Sequence, residues 1–491
     1  MSTAATLRQQ VSDLTSTISH QRRLLEDWET QLKDLQKQLD SISYPVLTLP
    51  PEITSEIFVH CLPVKRDHDV VNVDEAPLLL TRVCSVWRKI AISTPALWTT
   101  FQVKLDGSDD LPELSKIAQS WFKRSKSCPV SVKISGPVAD NASFSRFVKI
   151  LTKQAPKICS LELRTGADDY EAIESKISGA VDLSILQALS IRLSDPDDSI
   201  DAEAIAMFQN APLLQDVCIS DVPDPASYLL LPWQQLTTFT GELFSVPACW
   251  EVMRLMPNLI NCSLSVFTEG HTADAFESIS LLNLQHLTLF ESTDIDAPAS
   301  TDIIEFLATP ALQTLEVNGV EDFDSTVFVS FLKRSSPPLQ KLVLRAREFD
   351  PLLLFTSPAF FNLVLSELEI WKPSSDFVII LCQLLGKSRS GTTLPQLRKL
   401  SFLSCPRFSE NEEDAEMDEI LRIAAEPITQ RMEMVAGCVQ LQSFRLVEEK
   451  VKGIYYLTRY SEDAIAPFRA LKLSGKDIYV GTEEISTFDF E

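Results

Sequence analysis

The chain has 491 residues, with 44 Lys and Arg against 68 Asp and Glu, which gives a formal net charge of −24. Hydrophobic residues make up 45% and charged residues 23%, proportions of a folding chain that exclude wholesale disorder. The acidic balance argues against nucleic acid or an anionic membrane surface as the main partner, because phosphate binding needs clustered positive charge.

At roughly 100–200 residues per domain, the length predicts about three units unless one of them is a repeat array. Ten cysteines are spread thinly, and the nearest two, Cys249 and Cys262, lie thirteen apart. A disulfide scaffold would be denser and a zinc site would pair its ligands, so buried free thiols in a reducing compartment are expected. The sequons at Asn141 and Asn261 are then idle. Charges interrupt the first turns, against a signal peptide. The longest apolar run, Phe377 to Leu385, is too short to span a bilayer. The expectation is a soluble intracellular protein of the cytoplasm, the nucleus or both.

A heptad comes first. From Leu7, steps of four and three land on Val11, Leu14, Ile18, Gln21, Leu25, Trp28, Leu32, Leu35, Leu39 and Ile42, all apolar but Gln21. A 3.5-residue repeat keeps one stripe facing a partner helix, so residues 5–44 read as a coiled-coil helix roughly 54 Å long over the seam. The stripe either joins a second chain, as a homodimer through 7–42, or packs on the body of its own chain. Pro45 ends it.

Residues 45–100 form a short helical module. Pro50 and Pro51 suit a first helical turn and Glu52 suits the positive end of its dipole. Ile53, Ile57, Phe58 and Leu62 follow at helical spacing. After a polar loop containing His68, Asp69, Asp74 and Glu75, a second helix is predicted with Leu79, Val83, Val86, Trp87 and Ile90 on its apolar side. So thin a module with so much apolar surface is expected to leave a patch exposed. LPPEI with an Ile-Phe pair one turn later, then VCSVWRKIA and a closing LW, resembles the F-box. Members of that family dock on the Skp adaptor of cullin–RING ubiquitin ligases. More loosely, the whole chain is similar to F-box proteins of mushroom-forming fungi that carry a heptad helix before the box. The resemblance implies that Leu49, Pro50, Ile53, Ile57, Val83 and Trp87 form or support the adaptor surface. The acidic loop from Pro63 to Ala76 departs from the family pattern.

From about residue 130 the pattern L-x-x-L-x-L recurs, as at Leu186/Leu189/Ile191, Leu284/Leu287/Leu289 and Leu339/Leu342/Leu344, with a weak copy at Leu236. Copies begin 22 to 32 residues apart until a last gap of 44, and six are preceded by a proline two residues upstream. Residues two apart share a strand face, so the second and third apolar positions point inward together. Helix-like stretches lie between, such as Ile303–Leu307 and Val327–Leu332. One strand and one helix per repeat is the pattern of leucine-rich repeats. The fold class is therefore α/β: a long helix, a small helical module, then an irregular leucine-rich-repeat-like horseshoe solenoid over 101–450 and a C-terminal cap over 451–491. The family's Asn or Cys, three positions past the third apolar residue, is clear only at Cys405.

Between the inward positions stand Glu162, Thr288, Glu316, Glu369 and Arg445, with His286, Phe290, Arg345 and Trp371 on the same face. His286, Phe290, Glu316, Arg345, Glu369 and Trp371 are the candidate target-binding cluster, since aromatics and Arg dominate hot spots. Alternatively these residues only solvate a sheet. Seven carboxylates between Glu410 and Glu419 read as a solvated loop, or else as a regulatory insert or a site for a basic partner.

Five histidines lack metal-ligand spacing, and Gly386-Lys387-Ser388 lacks the first glycine of a phosphate loop, with Leu381 in its place. No catalytic residue, cofactor or metal is expected. Two functions remain: a substrate receptor that joins a Skp adaptor, and through it a cullin, to a target protein, or an F-box scaffold outside the ligase that bridges partners.

Overall fold

A computed structural model describes residues 2–41, 48–63, 72–105, 111–137, 142–177, 181–194, 204–267, 276–290, 302–322, 324–348, 353–354, 357–361, 363–386, 393–405, 413–433, 438–449 and 460–482. His68, Asp69, His271, Lys387, Asn141, Ile454 and Tyr456 lie outside them, as do the first three residues of the acidic run. The chain divides into two compact units, Met1–Trp98 and Thr99–Glu491.

The first unit is helical. Helix α1 (Ser2–Ser41) holds no proline or glycine, and Thr15, Thr17, Ser19 and Thr30 each donate to the carbonyl four residues back. Every residue from Thr3 to Gln38 is exposed, so the apolar seam lies open among the described residues. Helix α2 (Pro51–His60) starts on a proline at its first position and carries Glu52 in its first turn. It buries Thr54 and Phe58.

The second predicted helix is two. Cys84 is extended (φ −154°, ψ 171°) and separates α3 (Leu80–Val83) from α4 (Ser85–Ser93). The Cys84 sulfur accepts from the Trp87 amide at 3.4 Å, acting as an N-cap. Arg88 Nε donates to the Thr81 carbonyl at 2.6 Å across the break. Trp87 sets its ring edge-on to Phe58 at 4.9 Å, and Trp98 Nε1 donates to the Ala91 carbonyl at 2.9 Å.

The second unit is built on one parallel sheet. Its strands begin with β1 (Thr100–Lys104), β2 (Val130–Ser135), β3 (Ile158–Thr165), β4 (Ala188–Leu193), β5 (Asp216–Ser220) and β6 (Thr238–Ser245). They continue with β7 (Asn261–Phe267), β8 (Ile279–Ser280), β9 (His286–Phe290), β10 (Leu307–Ala308) and β11 (Thr314–Asp322). The last are β12 (Lys341–Glu348), β13 (Glu367–Trp371), β14 (Lys399–Cys405), β15 (Ser443–Glu448) and β16 (Asp477–Thr482). Among the described residues, fourteen strands form one sheet whose spatial order follows chain order, while β8 and β10 pair separately. Helices such as Ala142–Gln154, Ser325–Ser335 and Ser375–Gly386 connect them.

Register explains why. One row runs from Phe101 through Leu189, Leu287 and Leu342 to Ile478, and a second from Val103 through Ile191, Leu289 and Leu344 to Val480. These are the second and third apolar positions of each copy, and all are buried but Leu161. Leu161 lines an apolar cavity of about 70 Å³ together with Phe144, Phe147 and Ile173. The second row has one residue without a side chain, Gly241. A Cβ there would come within 3.0 Å of the Phe239 ring and 3.1 Å of Leu264, so neighbouring side chains fill its place.

Backbone groups close the turns. Below the strands, the Gln187 carbonyl accepts from both the Gln215 and Asp216 amides at 3.0 Å, and the Gln285 carbonyl accepts from Gln313 and Thr314. Above them, Asp221, Leu243, Lys372 and Ser404 adopt positive φ of 60°, 62°, 51° and 51°. Each stands two residues after the third apolar position of its copy. Register shifts in β2/β3, β6/β7, β11/β12 and β14/β15 make the stacking uneven.

One expectation is corrected. The acidic run is not a loop over its described part: Glu413–Met432 is a helix. Helical phase turns Met417, Asp418, Ile420 and Leu421 inward, and the Asp418 carboxylate accepts from the Ser461 amide at 2.9 and 3.1 Å. The sheet continues past Lys450, where β16 pairs in register with β15 over six residues inside the span read as a C-terminal cap.

Candidate functional site

Two surfaces hold the sequence-predicted residues, one in each unit. In the helical module Leu49, Ile53, Ile57 and Val83 are exposed, with Ile53 at 50% and Val83 at 56%. Ile53 and Ile57 sit one turn apart on α2, on a face adjacent to that of Thr54 and Phe58, which turn inward. Leu79 and Val86 are exposed with Val83, while Leu80 and Ala91 are buried. The module therefore closes its own core with Phe58, Leu80, Leu97 and Trp98 beside Thr54 and Ala91, and leaves Leu49, Ile53, Ile57, Leu79, Val83 and Val86 in water. Pro50 is exposed at the start of α2. Trp87 differs from the rest: it is half-buried against Phe58, its Nε1 is buried without an acceptor, and it supports the surface from beneath. Leu79, Val86 and Val73 are members that the motif alone did not single out as a surface; only burial distinguishes them.

The second surface is the polar face of the sheet. A middle row of facing residues includes Glu162, Ser190, Thr288, Glu316, Glu369 and Arg445. The row above joins Phe290, Asn318, Arg345 and Trp371 on consecutive strands β9, β11, β12 and β13. His286 lies in the row below, opposite Thr314. Five of the six candidate residues thus share adjoining positions, with His286 at the lower edge.

Their contacts are specific. The Arg345 guanidinium lies 4.2 Å over the Trp371 ring, and its Nη2 is 3.7 Å from Glu369 Oε1. Trp371 Nε1 donates to the same Glu369 oxygen at 2.5 Å. Lys341 Nζ reaches Glu316 Oε1 at 2.6 Å, which raises the lysine pKa above its ordinary value. Arg345 and Trp371 are therefore held in one orientation by a shared carboxylate. Asn318, between Phe290 and Arg345, keeps a buried side-chain oxygen with no partner. Val343 interrupts the polar middle row and is buried.

A third group escaped sequence reasoning. Arg192 Nε meets Asp221 Oδ2 at 2.9 Å and its Nη2 lies 3.3 Å from Glu242 Oε2, which also accepts from Ser220 Oγ at 2.8 Å. The hydrogen bond with Asp221 raises the Arg192 pKa. The available signal was position: Arg192 stands two residues past Ser190, as Trp371 does past Glu369.

Among the described residues no cluster of three or more His, Cys, Asp and Glu side chains could hold a metal ion. Among them, too, no helix is long and apolar enough to cross a membrane. Both surfaces are suited to non-covalent recognition, one through aliphatic burial and one through an Arg–Trp pair among ion pairs. No protein-family model matches the chain, and no curated protein matches its sequence.

Proposed function

We propose that this chain is a substrate-receptor subunit of a Skp–cullin–F-box ubiquitin ligase. The observation that carries the reading is the outward display of Leu49, Ile53, Ile57 and Val83 on a module whose core is already complete without them. These are the positions at which the F-box resemblance sets an adaptor. The sheet unit, read as an irregular leucine-rich-repeat-like horseshoe, presents the target-binding face, with Arg345 and Trp371 as anchors. In this reading the chain supplies no reacting group. It raises the effective concentration of a target near the ligase and orients it. Its place is the cytoplasm, the nucleus or both.

Co-expression with a Skp adaptor, followed by size-exclusion chromatography with light scattering, tests the reading. A stable complex is expected, and a chain carrying Pro50→Ala, Ile53→Asp and Ile57→Asp is expected to elute alone while keeping its helical signal. A folded wild-type chain that ignores the adaptor would sink it. The scaffold alternative bridges partners through the coiled coil and repeats and predicts no cullin in the purified complex.

A further inference from the structure

Among the described residues, the seam of α1 lies open: Leu7, Val11, Leu14, Ile18, Leu25, Trp28, Leu32 and Leu35 are 47–65% exposed. We propose that this seam is covered by α1 of a second copy of the chain, running antiparallel, in the register that sets Arg22 against the second copy's Glu29. The steps along the seam make Val11, Ile18, Leu25 and Leu32 the a positions of a heptad, and Leu14, Gln21, Trp28 and Leu35 the d positions. Arg8, Thr15, Arg22, Glu29 and Gln36 then follow each d residue and flank the seam on one side.

In an antiparallel pair each a residue packs on a d residue of the other helix, and these flanking positions face their own kind. One register packs Leu25 on Trp28, Ile18 on Leu35 and Leu32 on Gln21, and brings Arg22 to Glu29 twice along the same flank, related by the two-fold axis of the pair. Sliding one helix by a heptad in one direction sets Arg22 on Arg22. Sliding it in the other sets Glu29 on Glu29. Like charges face to face disfavour a slip of one heptad in either direction. A parallel pair would let the two Gln21 amides meet. It would also stack Trp28 on Trp28 in one layer, and its flanking contacts would be Thr17 with Arg22 and Leu24 with Glu29, neither of them an ion pair. Bulk and charge both favour the antiparallel arrangement.

Sedimentation velocity on the full chain at low salt tests this. Wild type is expected to be a dimer. Arg22→Glu and Glu29→Arg are each expected to weaken association roughly tenfold or more, because two attractive contacts become repulsive in each. An equimolar mixture of the two variants, and the double variant, are each expected to regain wild-type association. Both side chains are exposed, and circular dichroism checks that each variant stays folded. A wild-type chain that stays monomeric overturns the proposal. So does a dimer indifferent to both charge changes, which is the result a parallel pair or another interface would give.

Discussion

The two units use aliphatic side chains in opposite ways. In the sheet unit Leu287, Leu342 and Leu400 sit in continuous rows with essentially no exposure, and the polar residues between them face water. In the helical unit Leu32, Ile53 and Val83 are of the same chemical kind and lie open. Hydropathy cannot separate the two cases, since both are periodic and both are apolar. What separates them is whether the chain itself supplies the opposite wall. The sheet has connecting helices whose phenylalanines close over it, such as Phe144, Phe147, Phe328 and Phe331. The helical module has only Phe58, Trp87, Trp98 and a few smaller neighbours. The first arrangement closes a core, and the second leaves an apolar face open.

A matched pair of substitutions tests that contrast most sharply. Leu287→Asp puts a carboxylate into the buried row and is expected to cost about 4 kcal/mol or more, abolishing the cooperative thermal transition of the sheet unit. Ile53→Asp is expected to shift stability by less than about 0.5 kcal/mol, because its side chain is already in water. Equal losses in circular-dichroism melts would erase the distinction.

Thiol chemistry reads the same division. Burial pushes the Cys249 and Cys382 thiols up to about 12, and that of Cys262 well above its ordinary value, whereas Cys61 is exposed. Native alkylation at neutral pH is expected to label Cys61 and to spare Cys249, Cys262, Cys382 and Cys405 until the chain is denatured, as mass spectrometry would resolve. The raised values also set a pH dependence. The unfolded chain loses these protons near its ordinary value of 9.0 while the fold retains them, so stability is expected to fall as pH climbs from about 9 toward 12.

Smaller effects probe packing and turns. Gly241→Val is expected to cost about 1–3 kcal/mol in chemical denaturation, since Phe239 and Leu264 occupy the space its side chain needs. Lys372→Gly is expected to stabilise by about 0.5–1 kcal/mol, because Lys372 holds a φ of 51° that glycine adopts without strain. A loss there instead would mean that the lysine's 3.5 Å ion pair with Glu449 outweighs the backbone cost.

Much of this was legible in the sequence, for an identifiable reason. A period of two inside a copy, repeated down the chain, encodes the buried rows directly, and the polar partners of each strand follow by alternation. The cluster of Glu316, Glu369, Arg345 and Trp371 was legible on the same ground, but its hydrogen bonding was not, because that depends on rotamers. The break at Cys84 was hidden because cysteine is a rare cap. The helix over the acidic run was hidden because charge density masked the phase of Met417, Ile420, Leu421 and Ala424. Strand β16 was visible only as the alternation of Ile478 and Val480, without a leucine to mark it. The choice between a self-packed and an open α1 lay beyond periodicity, which says that a stripe exists and not what covers it.

The order of strands has a consequence for synthesis. Because each strand of the large sheet lies beside the one before it in the chain, none must wait for a partner not yet made by the ribosome. The chain segment closed at each step is also short. Loop-closure entropy rises by only about 0.6 kcal/mol for each doubling of length, so the widest repeat gap, 44 residues, costs little more than the narrowest, 22. The large sheet can therefore assemble vectorially, strand on strand, at a nearly constant cost per addition, and long-range search never becomes the slow step of its folding.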